Sequence, residues 1–229
     1  RGGAGADRLA GAQGPDSLAG GAGPDRLAGA RGPDSLAGGA GPDRLAGAGG
    51  PDRLEGGPGG DRLLGGAGGD RLFGEGGGDR LVGGGGRDRL FGGDGADRLR
   101  AGGANDRLQG GDGADRLAGG PGRDRLQGGA GPDRLTDGPG RDRLVGGPGR
   151  DRFEMVEDGA RDRVSDFRPG VDRLDLSAFG PALDFDDLAI RRRPGGVAVR
   201  HGDERHLLDG AGDSRLLPRD LDADDLLFA

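Results

Sequence analysis

The sequence predicts an all-β fold, a right-handed parallel β-roll built as a nonapeptide solenoid and closed by a β-rich C-terminal cap. Three observations predict it. An Asp recurs at every ninth position from Asp7 to Asp151, giving 17 copies without an insertion or deletion. A Leu stands two residues after each Asp, from Leu9 to Leu144, with Phe153 in the last copy. Glycine fills 59 of the 229 positions and precedes each of these Asp by two residues, except where Ala104 stands.

The unit reads G-G-x-G-x-D-R-L-x, and the stretch from Gly92 to Leu99 matches it fully. A fixed nine-residue period of this kind marks a stacked β-solenoid. A second period of 18 lies over the first. Ser replaces Arg after the Asp only at Ser17 and Ser35; Ala replaces the second Gly at Ala12, Ala30 and Ala48; Phe73 and Phe91 form another such pair. One coil is therefore two nonapeptides, with two loops and two short strands on opposite sides. Collagen requires Gly at every third residue, and the third triplet of each copy begins with Arg or Ser. A flexible linker needs no fixed Leu.

Each element follows from its residues. The glycine-rich hexad is a turn, because glycine reaches positive φ cheaply and lets carbonyl oxygens point inward. Pro24 and Pro132 stiffen such turns. The triplet R-L-x is a strand whose Leu faces inward while Arg and the ninth residue face outward. Leu9, Leu27 and Leu45 stack in one sheet, and Leu18, Leu36 and Leu54 in the other. One Leu per nine residues is a thin core for so glycine-rich a backbone, which loses much entropy on ordering. The missing stabilisation is expected in the loops.

The loops stack their Asp residues in two columns, with about 4.8 Å between coils. Asp7, Asp25, Asp43, Asp61, Asp79, Asp97, Asp115, Asp133 and Asp151 form one; Asp16, Asp34, Asp52, Asp70, Asp88, Asp106, Asp124 and Asp142 form the other. Carboxylates so close repel unless a cation neutralises them. Ca²⁺ accepts six to eight oxygens in flexible geometry, whereas Mg²⁺ demands a tighter octahedron. Cys is absent and both His lie outside the repeats, so soft-metal ligation is not expected there. The plainer alternative is a set of turn-forming Asp without metal.

These repeats resemble the hemolysin-type (RTX) calcium-binding family. The resemblance implies an ion between successive loops of a column, held by the Asp of each and by carbonyls of the glycine region. Asp7 and Asp25 then share one ion, and Asp16 and Asp34 another. Nine odd copies leave eight gaps and eight even copies leave seven, a ceiling of about 15 Ca²⁺. Binding is expected to weaken beside Asp106, where Ala101 and Ala104 replace two glycines, and where Asp137 replaces the first Gly of its copy.

Charge separates this chain from the resemblance. Its repeat blocks are commonly acidic, but residues 1–154 hold 23 acids against 22 Arg. Full loading with calcium would make the block strongly cationic. Outward ladders such as Arg44, Arg62 and Arg80 then suit a polyanionic cell-surface polysaccharide, or are simply a solvated face. No nucleic-acid partner is expected, and no apolar run is long enough to span a membrane.

Residues 1–154 are read as the calcium-binding roll and 155–229 as a capping and secretion-signal region. A degenerate copy ends at Asp162-Arg163-Val164. The blocks Val164 to Asp172 and Leu174 to Phe179 resemble the cap of serralysin-type secreted metallopeptidases. Pro194-Gly195-Gly196, flanked by Leu188 to Ile190 and Val197 to Val199, predicts a hairpin, and Leu207-Leu208 and Leu216-Leu217 predict further strands. The stretch Asp222 to Ala229, acidic then apolar, resembles an uncleaved type I secretion signal. This implies a secreted, extracellular bacterial protein that meets the type I secretion machinery and folds outside the cell.

No catalytic function is expected of this chain. The signature H-E-x-x-H is absent, and His201 and His206 are read as two surface histidines. No G-x-S-x-G, P-loop or catalytic Cys occurs. The chain begins at Arg1 within a repeat and without Met, which reads as a fragment or a processed piece and leaves room for an N-terminal domain upstream. Two functions stand: a calcium-driven folding and secretion module, or the tail of a secreted enzyme whose catalytic domain precedes Arg1. Phe73 and Phe91 could dock such a domain.

Overall fold

A computed structural model describes residues 1–179 and four further strands at 191–193, 196–199, 206–210 and 226–227. The architecture is a parallel β-solenoid with no α-helix among the described residues. Odd-numbered strands, from β1 (Arg8–Ala10) and β3 (Arg26–Arg31) to β17 (Arg152–Glu154) and β19 (Arg173–Asp175), form one sheet of 11 strands that ends in β23 (Leu226–Leu227). Even-numbered strands, from β2 (Ser17–Ala22) and β4 (Ser35–Ala40) to β16 (Arg143–Val145) and β18 (Arg163–Phe167), begin a second sheet of 12. Every pairing within the repeats is parallel and offset by one coil, so Leu9 lies beside Leu27 and Leu18 beside Leu36. The 18-residue coil read from the sequence is the coil observed.

The core is the predicted pair of Leu columns. Leu27 through Leu144 are buried, and Phe153, Met155, Val164, Phe167, Leu174 and Leu176 continue the interior at the C-terminal end. Leu9 and Leu18, in the first coil, are only partly covered. Phe153 and Phe167 meet at a tilt of 50°, with ring centroids 6.1 Å apart.

The strands are longer than the predicted triplet. Most run for six residues, as in Arg89–Asp94, and so include the first three residues of the glycine hexad. Pairing between coils continues into the hexad, as where Gly93 lies beside Gly111 and Asp94 beside Asp112. The first hexad position faces inward like the Leu, and at Gly92 an added Cβ would lie 2.2 Å from Asp97 Oδ2. The true corner is the three-residue segment ending in Asp. At Pro121, Pro139 and Pro148, each in the third hexad position, the strand shrinks to three residues, whereas β6 (Arg53–Pro58) keeps six with Pro58 at its end. Proline has no N–H with which to bond the preceding coil.

The sheets do not stop at residue 154. β18 pairs with β16, and β19 pairs with β17, in the same parallel sense. The expected hairpin forms from β20 (Arg191–Arg193) and β21 (Gly196–Val199). Leu207-Leu208 lie in β22 (His206–Gly210), which pairs antiparallel with β21 and parallel with β18. Leu188 to Ile190, His201, Leu216-Leu217 and most of the segment from Asp222 to Ala229 lie outside the described residues.

Candidate metal sites

The two Asp columns form as predicted, and backbone geometry holds them. The N–H of Asp7 donates to Asp25 Oδ1 at 2.8 Å, and that of Asp25 to Asp43 Oδ1 at 2.7 Å. In the even column Asp16 N–H reaches Asp34 Oδ1 at 2.8 Å, and the chain continues to Asp124 and Asp142 at 2.7 Å. Each carboxylate is thus tied to the coil before it through one oxygen. From Asp25 to Asp142 all the column Asp are buried, as is Asp151; Asp7 and Asp16, in the first coil, are more open.

The second oxygen is the informative one. From Asp25 to Asp142, Oδ2 of every column Asp is buried without a hydrogen-bond partner. A buried charge without a partner is strongly disfavoured. At Gly20 the bare Cα faces both Asp25 Oδ2 and the Gly38 carbonyl oxygen, which would lie 2.3 and 2.6 Å from an added Cβ. The first glycine therefore clears a space towards which carboxylate and carbonyl oxygens converge. An all-oxygen, anionic, repeated cradle fits Ca²⁺ and offers nothing to a soft metal. The residues that would hold each ion are successive Asp of one column and carbonyls of the glycine hexads.

Metal-free electrostatics agree. Burial pushes the carboxyls of Asp61, Asp88, Asp133 and Asp142 up to about 7, against the lowering effect of the backbone hydrogen bond each accepts, and neighbouring column Asp raise them further. Asp52, Asp97 and Asp124 rise to about 6 for the same leading reason.

Sequence reasoning stopped the columns too early. Asp142 N–H donates to Asp162 Oδ1 at 2.8 Å, and Asp151 N–H donates to Asp172 Oδ1 at 3.1 Å. Asp162 and Asp172 thus extend the columns by one coil each. The degenerate copy at Asp162 was legible in the sequence but not its place in the column, and the 21-residue spacing hid Asp172, although both begin D-R-V or D-R-L triplets like the repeats. The altered copy at Ala101 keeps Asp106 in its column, with Ala101 buried and Ala104 held at a φ of 99°.

A calcium-binding parallel β-roll is the class of protein that these columns and their glycine cradles define. The model for the RTX calcium-binding nonapeptide repeat matches residues 1–36, 19–54, 37–72, 55–90, 73–108, 91–126 and 119–153. The chain belongs to that repeat family, and its repeats bind calcium. Among solved structures, it is similar to the solution structure of the AlgE6R3 subunit of the Azotobacter vinelandii mannuronan C5-epimerase. That match has 31% identity over 59% of this chain and 80% of the other, with a TM-score of 0.30. No curated protein matches.

Proposed function

We propose that this calcium-binding module leaves a bacterial cell through type I secretion as an unfolded chain and becomes a rigid roll when it meets extracellular calcium. The carrying observation is the run of buried Oδ2 atoms without partners from Asp25 to Asp142. A fold that buries this many carboxylates needs their charge neutralised, so its stability follows the calcium concentration of its surroundings. Extracellular sites of this chemistry bind at roughly 10⁻⁴–10⁻³ M, far above cytosolic calcium. Circular dichroism during a calcium titration tests the reading. The β signal is expected to appear at millimolar Ca²⁺ and not at equal Mg²⁺; a β signal of full size in chelator overturns it.

A polyanionic surface polysaccharide is the partner this reading favours. One row of Arg borders a groove on the outer face of the even sheet, where Arg89, Arg107, Arg125 and Arg143 run beside the row of Phe91, Gln109, Gln127 and Val145. Calcium loading would remove the compensating negative charge of the columns and leave this Arg row dominant. Calcium-dependent retention on a heparin column is expected. Equal retention with EDTA rules the partner out.

A further inference from the structure

The even column ends differently from the rest of the array. In most copies the first hexad position is Gly, and it faces the Oδ2 of that copy's own Asp. An added Cβ would lie 2.3 Å from Oδ2 at Gly128 and 2.2 Å at Gly110. In the copy of Asp142 that position holds Asp137, so the side chain there starts on the side of the loop where Oδ2 lies. Asp137 is fully buried. Its Oδ1 accepts the N–H of Gly138 at 2.6 Å and of Val156 at 3.0 Å, while Oδ2 has no hydrogen-bond partner.

Three carboxylates meet at this point. One carboxylate oxygen from each of Asp137, Asp142 and Asp162 lies within 4.8 Å of the other two, and all three residues are buried. Burial, then the backbone bond from Gly138 acting the other way, then the charges of Asp162 and Asp142 set the Asp137 carboxyl at about 8 in the metal-free chain. Within the array each Asp serves the gap before it and the gap after it, so an interior ion is matched by about one carboxylate. Asp137 belongs to neither column and adds its whole charge to a single gap. Ligand charge is one of the two main determinants of calcium affinity, site rigidity being the other, and both hydrogen bonds to Oδ1 fix this side chain.

We propose that Asp137, Asp142 and Asp162 form a terminal calcium site that binds more tightly than the inter-coil sites and fills before them. A substitution that reads in the sequence as a defect in the repeat is in this light a gain of a ligand. The inference rests on the calcium-binding reading of the columns, and its test separates the two. The whole chain is titrated with Ca²⁺ against a chromophoric chelator, alongside D137G and D137N. D137G restores the repeat consensus, and D137N keeps the side-chain shape and an oxygen for Gly138 and Val156 while removing the charge. The wild-type chain is expected to take one ion about tenfold more tightly than the remainder, as an added carboxylate ligand implies. Both variants are expected to lose that one step while keeping the later ions and the calcium-induced β signal. A tight step that survives in both variants, or its absence from the wild-type chain while the other ions bind, overturns this inference alone. Failure of the chain to take up any calcium overturns the reading of the columns themselves.

Discussion

Arg168 Nη2 lies 3.5 Å from Oδ2 of Asp151, in the last gap of the odd column. The same nitrogen is 3.1 Å from Oδ1 of Asp172, and the Arg168 backbone N–H donates to Asp172 Oδ2 at 2.8 Å. It also reaches the Gly149 carbonyl. A guanidinium thus meets the oxygen types that a calcium ion would take between two coils. The two columns close in opposite ways, one on a built-in cation and the other on an extra carboxylate.

Arg168→Ala should therefore convert the last odd gap into an ordinary ion site. Mass spectrometry of the calcium-loaded chain under native conditions is expected to show one more bound ion than the wild type. Unchanged stoichiometry would show that Arg168 does not occupy a site.

The first glycine of an unaltered copy leaves little room for a side chain, although Ala101 and Asp137 fill that position in their own copies. At Gly92 an added Cβ would lie 2.2 Å from Asp97 Oδ2 and 2.5 Å from the Gly110 carbonyl oxygen. Gly92→Ala is expected to cost about 1–3 kcal/mol through overpacking and to raise the calcium midpoint. Gly103→Ala is the control, since nothing lies within 4 Å of an added Cβ there. Thermal unfolding at fixed calcium compares the two, and equal melting temperatures would contradict the cradle geometry.

Ala104 carries strain that glycine would relieve. Its φ of 99° lies where a Cβ is disfavoured, and Ala30, Ala48 and Glu75 share the left-handed region. Ala104→Gly should stabilise the loaded roll by about 1 kcal/mol. For a chain of this size that is a rise in melting temperature of about 2–4 °C. A fall in melting temperature would refute the assignment of strain.

Calcium uptake should release protons at mildly acidic pH. Asp61, Asp88, Asp133 and Asp142 sit near 7 in the metal-free fold, chiefly through burial. Groups that hold protons more tightly folded than unfolded stabilise the fold at low pH, and that contribution falls as pH rises from about 4 towards 7. The calcium-free chain should accordingly be more ordered at pH 5 than at pH 7.5. Calorimetry in two buffers of different ionisation enthalpy should register proton release at pH 6 and far less above pH 8. A buffer-independent heat at pH 6 would contradict the raised values.

Most of the repeat architecture was legible because one coil has a constant length. The Ser17 and Ser35 pair, and the Phe73 and Phe91 pair, announced a period of 18; the rings of the latter stack at 5.0 Å between centroids, with Arg53 over Phe73. Periodicity identifies neighbours only while no residue is inserted. Asp162 and Asp172 sit two and three residues beyond that period, so three-dimensional pairing was needed to add them to the columns. Strand length was hidden because glycine gives no apolar signal at the inward first position of the hexad. The closing role of Arg168 depends on a turn outside the repeat, and no spacing rule places it.

The central claim is that ions between coils hold together a roll whose carboxylates would otherwise stay buried without partners. Hydrogen exchange of the Asp amides that bond the following coil, such as Asp61 N–H to Asp79 Oδ1 at 2.7 Å, tests it most directly. The account predicts strong protection of these amides in millimolar calcium at pH 7.5, and near-complete loss of it after chelation. Equal protection in both conditions would contradict it, because the coils would then be stable on leucine and hydrogen bonds alone.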